Sequence, residues 1–256
     1  MSAAYETLEV SRSDGVVQVA LNRPAEANAL SIPLARELKA VVAAAESDPG
    51  CHVLVLRGNG KFFCAGGDVK GMAAAADSVA FLQELAGTMH EAMLALAASR
   101  LVVVAAVDGP AAGAGLGLVL NSNIVLVTPR ASFLSAYDKV GLTPDCGVSY
   151  LLPRVIGQRR AAAVLLAGRM VSADDALAWG LANEQVDIVG LETRVQELCT
   201  SLTEGATQSL GPTKKLLVGD LAAYSAHLDA EAASIAAMSA HPDSTARIAA
   251  FAQRSR

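Results

Sequence analysis

The sequence predicts an α/β core followed by a helical C-terminal region. Two short runs, His52–Leu56 and Leu101–Val107, are almost wholly apolar, as expected of strands buried in a parallel sheet. Segments with helical spacing alternate with such runs up to about residue 130, and helical patterns fill the rest of the chain. Alternation of this kind is typical of a parallel sheet covered by helices.

The first half of the chain opens with a predicted β-hairpin, in which Ser-Asp-Gly joins Leu8–Ser11 to Val16–Leu21. Ser31 is expected to cap a helix that carries Pro33 in its first turn. A glycine-rich loop, residues 58–67, follows the first apolar run. The next predicted elements are the helix Phe81–Ala98, the strand Leu101–Val107, a short helix Gly113–Leu120 and the strand Ile124–Val127.

The last third of the chain has helical spacing throughout. Helices are predicted at Val155–Ala167, Ala173–Trp179, Leu191–Leu202, Thr213–Val218, Asp220–Ala240 and Ser244–Arg254.

Composition narrows the classes of protein. The 256 residues are 53% hydrophobic and 18% charged, with a net charge of −5, which fits a folded domain. The absence of a Lys/Arg-rich stripe argues against nucleic-acid binding. The run Leu101–Val107 is far shorter than the ~20 residues of a membrane helix, and four charges within Met1–Asp14 argue against a signal peptide.

The four cysteines have no CxxC spacing, and no histidine lies at metal-ligand spacing from them; they are Cys51, Cys64, Cys146 and Cys199. We therefore expect a reduced, cytoplasmic protein without a metal site.

Two stretches of small residues are the chemical candidates. Each follows an apolar run: KFFCAGGD at residues 61–68 and VDGPAAGAGLG at residues 107–117. Small side chains let a ligand reach the backbone, and the second stretch opens a helix whose first N–H groups are free and partly positive. Tight turns and close helix–sheet packing are the alternative interpretation. The second stretch reads GxGxG rather than GxGxxG and lacks GK[ST], which argues against the common nucleotide-binding loops.

Together these stretches resemble the two signatures of the crotonase superfamily, also called the enoyl-CoA hydratase/isomerase family. Residues 63–72 are similar to the first signature and residues 107–124 to the second. The segments Leu21–Pro24 and 243–256 extend the resemblance over essentially the whole chain. It implies a crotonase-like spiral of ββα units over residues 1–195, a helical oligomerisation region over residues 196–256, and a homotrimer or dimer of trimers.

The resemblance also implies an oxyanion hole, formed by the N–H groups of Gly67 and Ala114, for the carbonyl of an acyl thioester. Coenzyme A would then enter as part of the substrate, so that no separate cofactor is expected. Lys70 would either approach its 3′-phosphate or remain a solvated loop lysine, and Asp68 would cap or brace the loop. The residues implied along the acyl-CoA path are Ala27, Asn28, Ala29, Ala65, Gly66, Asp68, Val69, Lys70, Leu142, Phe251 and Arg254.

The reaction depends on the acids around this hole. Hydratases of the family would have carboxylates at the positions of Gly117 and Tyr137, so ordinary hydration is not favoured. Asp138 would replace the second carboxylate only if the local backbone shifted by one residue. This leaves Asp145, which either caps a helix that starts near Cys146 or serves as an acid/base.

The loop 140–157 resembles that of enoyl-CoA isomerases and of the ring-epoxide isomerases of phenylacetate breakdown, which have one catalytic acid there. We therefore favour an isomerase of fatty-acid or related acyl-CoA metabolism, in which Asp145 moves a proton. An apolar pocket would raise its pKa. The expected walls of that pocket are Phe133, Leu134, Tyr137 and Leu142.

Three other functions stay open. Residues 111–161 also resemble the 4-chlorobenzoyl-CoA dehalogenases, in which Asp145 would be a nucleophile, His90 a base, and Tyr137 would stand where that branch has Trp. For His90 we favour a plain position on the exposed face of its helix. The remaining alternatives are an enoyl-CoA hydratase and a non-catalytic CoA-thioester-binding subunit.

Overall fold

The computed structural model describes residues 5–254, apart from the side chain of Arg254, and has the predicted α/β core with C-terminal helices. The strands are β1 Leu8–Ser13, β2 Val16–Leu21, β3 Val53–Gly58, β4 Val102–Val107, β5 Pro110–Ala112, β6 Ile124–Val127, β7 Ser132–Leu134, β8 Val171–Ser172 and β9 Glu184–Gln185. The helices are α1 Ile32–Glu46, α2 Val69–Ala74, α3 Ser78–Ala98, α4 Ala114–Leu120, α5 Val148–Ile156, α6 Gln158–Ala167, α7 Ala173–Trp179, α8 Leu191–Glu204, α9 Thr207–Val218, α10 Leu221–Ser239 and α11 Pro242–Arg254.

The main sheet has the strand order β1-β2-β3-β4-β6-β9. Strands β1 and β2 form the predicted antiparallel hairpin, and the other neighbours in this sheet are parallel. In β3 and β4, Val53 lies opposite Val102, which confirms the parallel pairing expected from the two apolar runs. The carboxyl ends of β3 and β4 therefore lie side by side, and both small-residue stretches start there.

Both faces of the sheet are buried, because alternate residues of each strand point to opposite sides. Leu54 and Leu56 belong to the larger core, which includes buried residues of α1 and α3. Val53 and Val55 belong to a second core that includes Val195 of α8. This double burial explains why the two strands read as continuous apolar runs.

Several elements differ from the expectations. The helix expected over Val155–Ala167 is two helices. The first, α5, begins earlier, at Val148, and Gly157, where φ is +82°, separates it from α6. Helix α2 forms where no element was expected, and its N-cap is Asp68. Strands β5, β7 and β8 form a second, small sheet, which is missed because strands of two or three residues leave no detectable periodicity.

The C-terminal helices pack back onto the core and onto the ends of the strands. Helix α10 lies along α3, and α11 contacts both α2 and the turn at residues 137–140. Helix α9 is held to the end of α3 by Lys214, whose buried amine donates to the carbonyls of Leu96 and Leu101, at 2.7 Å each, and to the hydroxyl of Ser99. Burial lowers the pKa of Lys214 to about 8.

Candidate active site

The two small-residue stretches meet directly. Cys64 pairs with Ala111, and Gly67 pairs with Leu30, in isolated parallel bridges. Gly66 has a φ of +111°, and a side chain there would lie 3.2 Å from the carbonyl oxygen of Ala112. The stretches can therefore approach this closely only because their residues are small.

The N–H groups of Gly67 and Ala114 are placed as a pair of donors. In the bridge to Leu30, the Gly66 carbonyl accepts at 2.7 Å and the Asp68 N–H donates at 3.0 Å, so the intervening N–H of Gly67 faces the other way. Ala114 is the first residue of α4, where backbone N–H groups have no partner inside the helix. Within the described part of the chain, neither N–H donates to a protein acceptor, and both residues line the same cavity.

That cavity has a volume of about 250 Å³. At roughly 30 Å³ per water molecule in the liquid, this volume corresponds to about eight water molecules. Leu134, Tyr137 and Leu142 line it as expected, whereas Phe133 is buried in the core behind it. Helix α3 contributes a wall that was not expected from the sequence, formed by Leu82, Leu85 and Met89, and the signal for it was their helical spacing. The other apolar residues of the lining include Leu30, Val69, Met72, Val140, Ile235 and Phe251.

Asp145 is the only carboxylate among the described residues that line the cavity. It is 6% exposed, and its Oδ1 accepts a hydrogen bond of 2.6 Å from the hydroxyl of Tyr137. Burial raises the pKa of Asp145, while this hydrogen bond and the nearby His90 oppose the rise. A buried carboxyl whose pKa is raised in this way is suited to gaining and losing a proton.

The alternative of a helix cap for Asp145 is wrong. Helix α5 begins at Val148, and its N-cap is Gly147 rather than Asp145. The carboxylate of Asp145 points instead to Tyr137, and only its backbone carbonyl accepts from the N–H of Val148.

The expected exposed position of His90 is also wrong. His90 is 7% exposed, because α10 packs along α3 and covers this face. Burial lowers its pKa, and the charge of Asp145 partly opposes this effect. Its Nε2 atom is buried without a hydrogen-bond partner in the described chain. His90 does not line the cavity, whereas its neighbour Met89 does.

The position of Gly117 explains why no carboxylate can lie there. A Cβ atom added to Gly117 would be 2.7 Å from the Cβ of Cys146 and 2.8 Å from its carbonyl oxygen. The loop that carries Asp145 thus occupies the space that a side chain at position 117 would need. Asp138 does not replace the missing acid: it pairs with Lys139 at 3.2 Å and lies outside the cavity lining.

A second cavity of about 210 Å³ shares Ala65, Gly67, Val69 and Phe251 with the first. The two cavities are therefore adjacent, and the second lies on the side of these shared residues, without Asp145 in its lining. The remaining lining of the second cavity includes Ala27, Ala29, Asp68 and Lys70, all expected along an acyl-CoA path, together with Ala25 and Glu26.

Three further residues of the expected path are Asn28, Asp68 and Arg254. Asn28 is fully buried, and its side chain binds the backbone of Arg23, Asn59 and Phe62, so the structure assigns it to the turn rather than to the cavity wall. Asp68 braces the loop as expected, since it accepts from the N–H of Gly71 at 2.9 Å and pairs with Arg23 at 3.3 Å. Arg254 ends α11, but its side chain lies outside the described residues.

The described residues contain no group of three His, Cys, Asp or Glu side chains that could hold a metal ion. All four cysteines are buried free thiols, and burial raises the pKa of Cys64 to about 12. No helix between residues 5 and 254 is both long and apolar enough to cross a bilayer.

Comparison with known proteins agrees with this geometry. The profile of the enoyl-CoA hydratase/isomerase family matches residues 11–255. The chain is 32% identical over 247 residues to 4-chlorobenzoyl coenzyme A dehalogenase-2 of an Arthrobacter species, covering 95% of this chain and 90% of that protein. It is 34% identical over 207 residues to 1,2-epoxyphenylacetyl-CoA isomerase of Escherichia coli K12, covering 79% and 78%. The crystal structure of an enoyl-CoA hydratase from Mycobacterium avium subsp. paratuberculosis K-10 superposes with a TM-score of 0.89 at 30% identity, covering 98% of this chain and 97% of that one.

Substituting Gly117 by Ala should push the acid loop out of place. Because the new Cβ would meet backbone and side chain of Cys146 within 3 Å, the free energy of unfolding should fall by about 1–3 kcal/mol, as measured by urea unfolding. The matched control is Gly87→Ala in α3, where a Cβ meets nothing within 4 Å. It should raise the free energy of unfolding by about 0.5–1 kcal/mol. Equal effects of the two substitutions would contradict the crowding at position 117.

Proposed function

This chain belongs to the enoyl-CoA hydratase/isomerase family, and from that premise we propose that it is an enoyl-CoA isomerase with Asp145 as its acid/base. The observation that carries the proposal is the single buried carboxylate of the cavity, beside two backbone donors. The positions at which a hydratase of the family would need carboxylates hold Gly117 and Tyr137. One carboxylate fits a reaction that removes a proton from one carbon and returns it to another.

The proposed reaction moves a double bond from the 3 to the 2 position of the acyl chain. The thioester carbonyl oxygen accepts hydrogen bonds from the N–H groups of Gly67 and Ala114. Asp145 takes a proton from Cα, the electron pair of that C–H bond spreads into the thioester as an enolate, and Asp145 returns the proton to Cγ. Loss of one such donor typically costs ~10²–10³ in rate, so the pair supplies much of the stabilisation of the enolate.

We place the acyl group in the cavity beside Asp145 and the coenzyme A arm along the second cavity, past Ala27, Ala29 and Lys70. Coenzyme A is then part of the substrate, and this chemistry needs no resident cofactor. Assembly into trimers or paired trimers and the division of the chain near residue 195 stay predictions from the resemblance, and the cytoplasmic location stays a prediction from the spacing of the cysteines.

One observation favours a second function, an aryl-CoA dehalogenase. His90 lies buried near Asp145 with an unpaired Nε2, and a dehalogenase is among the similar proteins. In that reaction the Asp145 carboxylate would attack the ring carbon that bears the halogen, expel halide and form an aryl ester. Water, deprotonated by His90, would then cleave the ester. We prefer the isomerase because Met89, rather than His90, reaches the cavity.

Asp145→Asn should lower the turnover of 3-enoyl-CoA substrates by ~10²–10⁴-fold, because the amide cannot accept the proton. Affinity for the CoA ester, measured by calorimetry, should remain close to that of the wild type. Asp138→Asn, which removes a neighbouring carboxylate outside the cavity, is the matched control and should keep wild-type turnover. Undiminished isomerisation by Asp145→Asn would refute the assignment. Tight binding without conversion by the wild type would favour the non-catalytic alternative.

Tyr137→Phe should move the acid limb of the kcat/KM profile to higher pH. The hydroxyl of Tyr137 stabilises the carboxylate form of Asp145, so its removal raises the pKa of Asp145, and the active base is lost at a higher pH. Tyr5→Phe, far from the cavity, should leave the limb in place. A limb that stays or moves to lower pH in Tyr137→Phe would show that Asp145 is not the titrating base.

His90→Gln separates the two candidate functions. In an isomerase, turnover of 3-enoyl-CoA should stay near the wild-type value, and 4-chlorobenzoyl-CoA should leave the protein mass unchanged. In a dehalogenase, the variant should accumulate an aryl ester on Asp145, visible by intact-protein mass spectrometry, because ester hydrolysis lacks its base. His52→Gln, remote from the cavity, is the control. An accumulated adduct would overturn the isomerase in favour of the dehalogenase.

A further inference from the structure

Helix α10 reaches the loop that carries Asp145 through one buried carboxylate. Glu231 is 4% exposed. It accepts hydrogen bonds from the N–H of Gly147 at 2.7 Å, from the N–H of Ser149 at 2.9 Å and from the Ser149 hydroxyl. These N–H groups lie at the start of α5, which has no side-chain cap of its own. Glu231 therefore satisfies donors that would otherwise be buried without a partner.

Building on the acid/base role proposed for Asp145, we propose that Glu231 is a positioning residue that fixes the place of Asp145 and holds a second negative charge near it. Only Cys146 separates Asp145 from Gly147, so the hydrogen bond from Gly147 leaves the carboxylate little freedom to move. Cys146 has a φ of +57°, a conformation that non-glycine residues rarely adopt. Such a conformation persists only where its surroundings hold it.

Tyr224 and Asn121 also hold the loop that carries Asp145. The hydroxyl of Tyr224 donates to the Asn121 side chain at 2.8 Å, and the amide of Asn121 donates to the Cys146 carbonyl at 3.4 Å. A Cβ atom on Gly147 would lie 2.2 Å from the Tyr224 hydroxyl oxygen. The loop is therefore fixed from α4 on one side and from α10 on the other.

The charge of Glu231 is the part of its role that hydrogen bonding alone does not explain. The groups that face Glu231 are Ser149, His227, whose Nε2 is 3.7 Å from Oε1, Tyr224, the Cys146 thiol and Asp145. Burial raises the pKa of Glu231 to about 7, its hydrogen bonds oppose that rise, and the charge of Asp145 adds to it. Because Asp145 already carries its charge when Glu231 titrates, loss of the Asp145 charge should lower the pKa of Glu231.

Two substitutions separate reach from charge. Glu231→Gln keeps the size but removes the charge and leaves one acceptor oxygen for three donors. Glu231→Asp keeps the charge but is shorter by one methylene and cannot reach both backbone N–H groups. The direct measurement is a ¹³C NMR titration of the Glu231 side-chain carboxyl, assigned by its loss in Glu231→Gln and compared between the wild type and Asp145→Asn. The kcat and KM for a 3-enoyl-CoA are measured alongside for both Glu231 variants.

In Asp145→Asn the titration midpoint of Glu231 should move to lower pH, because a nearby negative charge is removed. In Glu231→Gln kcat should fall on the order of 10–100-fold, as expected for a displaced catalytic group. KM should stay within about twofold of the wild type, because the coenzyme A arm is held elsewhere. In Glu231→Asp kcat should also fall, because the shorter side chain cannot reach both N–H groups. Glu204→Gln, an exposed change of the same kind on α8, should alter neither quantity.

An unchanged Glu231 midpoint in Asp145→Asn, or a wild-type kcat in Glu231→Gln, would overturn the proposal, even if the melting temperature of the Glu231 variant were lower, because a merely structural carboxylate would behave in that way. If Glu231→Gln does not fold, a wild-type kcat in Glu231→Asp would overturn it. Undiminished isomerisation by Asp145→Asn would defeat the isomerase instead. The NMR midpoints would still judge Glu231, since they need no turnover.

Discussion

The candidate site depends on a close approach of two backbone turns that only small residues permit. A Cβ atom on Gly115 would lie 2.4 Å from the Cys64 carbonyl oxygen, well inside van der Waals contact. Gly113, with φ +51° and ψ −121°, adopts a backbone conformation that other residues avoid. Since the turns follow β3 and β4, which are paired in parallel, the register of the main sheet sets the distance between the two N–H donors.

The same lack of side chains decides where the acid can lie. Cys146 occupies the space that a side chain at position 117 would need. The loop after β7 therefore packs directly on α4 and carries Asp145 to the cavity. A larger residue at position 117 and this loop conformation exclude each other on steric grounds. Packing at Gly117, a residue without a chemical role of its own, thus decides that the cavity has one carboxylate rather than two.

Local patterns in the sequence predicted the hairpin, the buried strands and the small-residue turns, whereas the role expected for Asp145 came from the family resemblance. Features that depend on contacts between distant segments were missed. His90 has a helix-surface pattern in α3, but α10, about 140 residues further along the chain, covers it. Glu231 lies 84 residues from Gly147, and no motif near either residue indicates their hydrogen bond. Asp145 followed by a helix resembles a cap, yet its carboxylate accepts from the hydroxyl of Tyr137, eight residues earlier in the chain.

In the proposed reaction the cavity holds one negative charge at a time. The charge starts on Asp145, where Tyr137 donates to it, and moves to the thioester oxygen, where Gly67 and Ala114 donate, as the proton passes to the carboxylate. Each end supplies hydrogen bonds for the charge, and the apolar walls between them exclude the water that would otherwise screen it. A second carboxylate in this space would add a buried charge without a donor, at a high energetic cost. Glu231 avoids this cost because its carboxylate lies on the far side of the loop, where the N–H groups at the start of α5 donate to it.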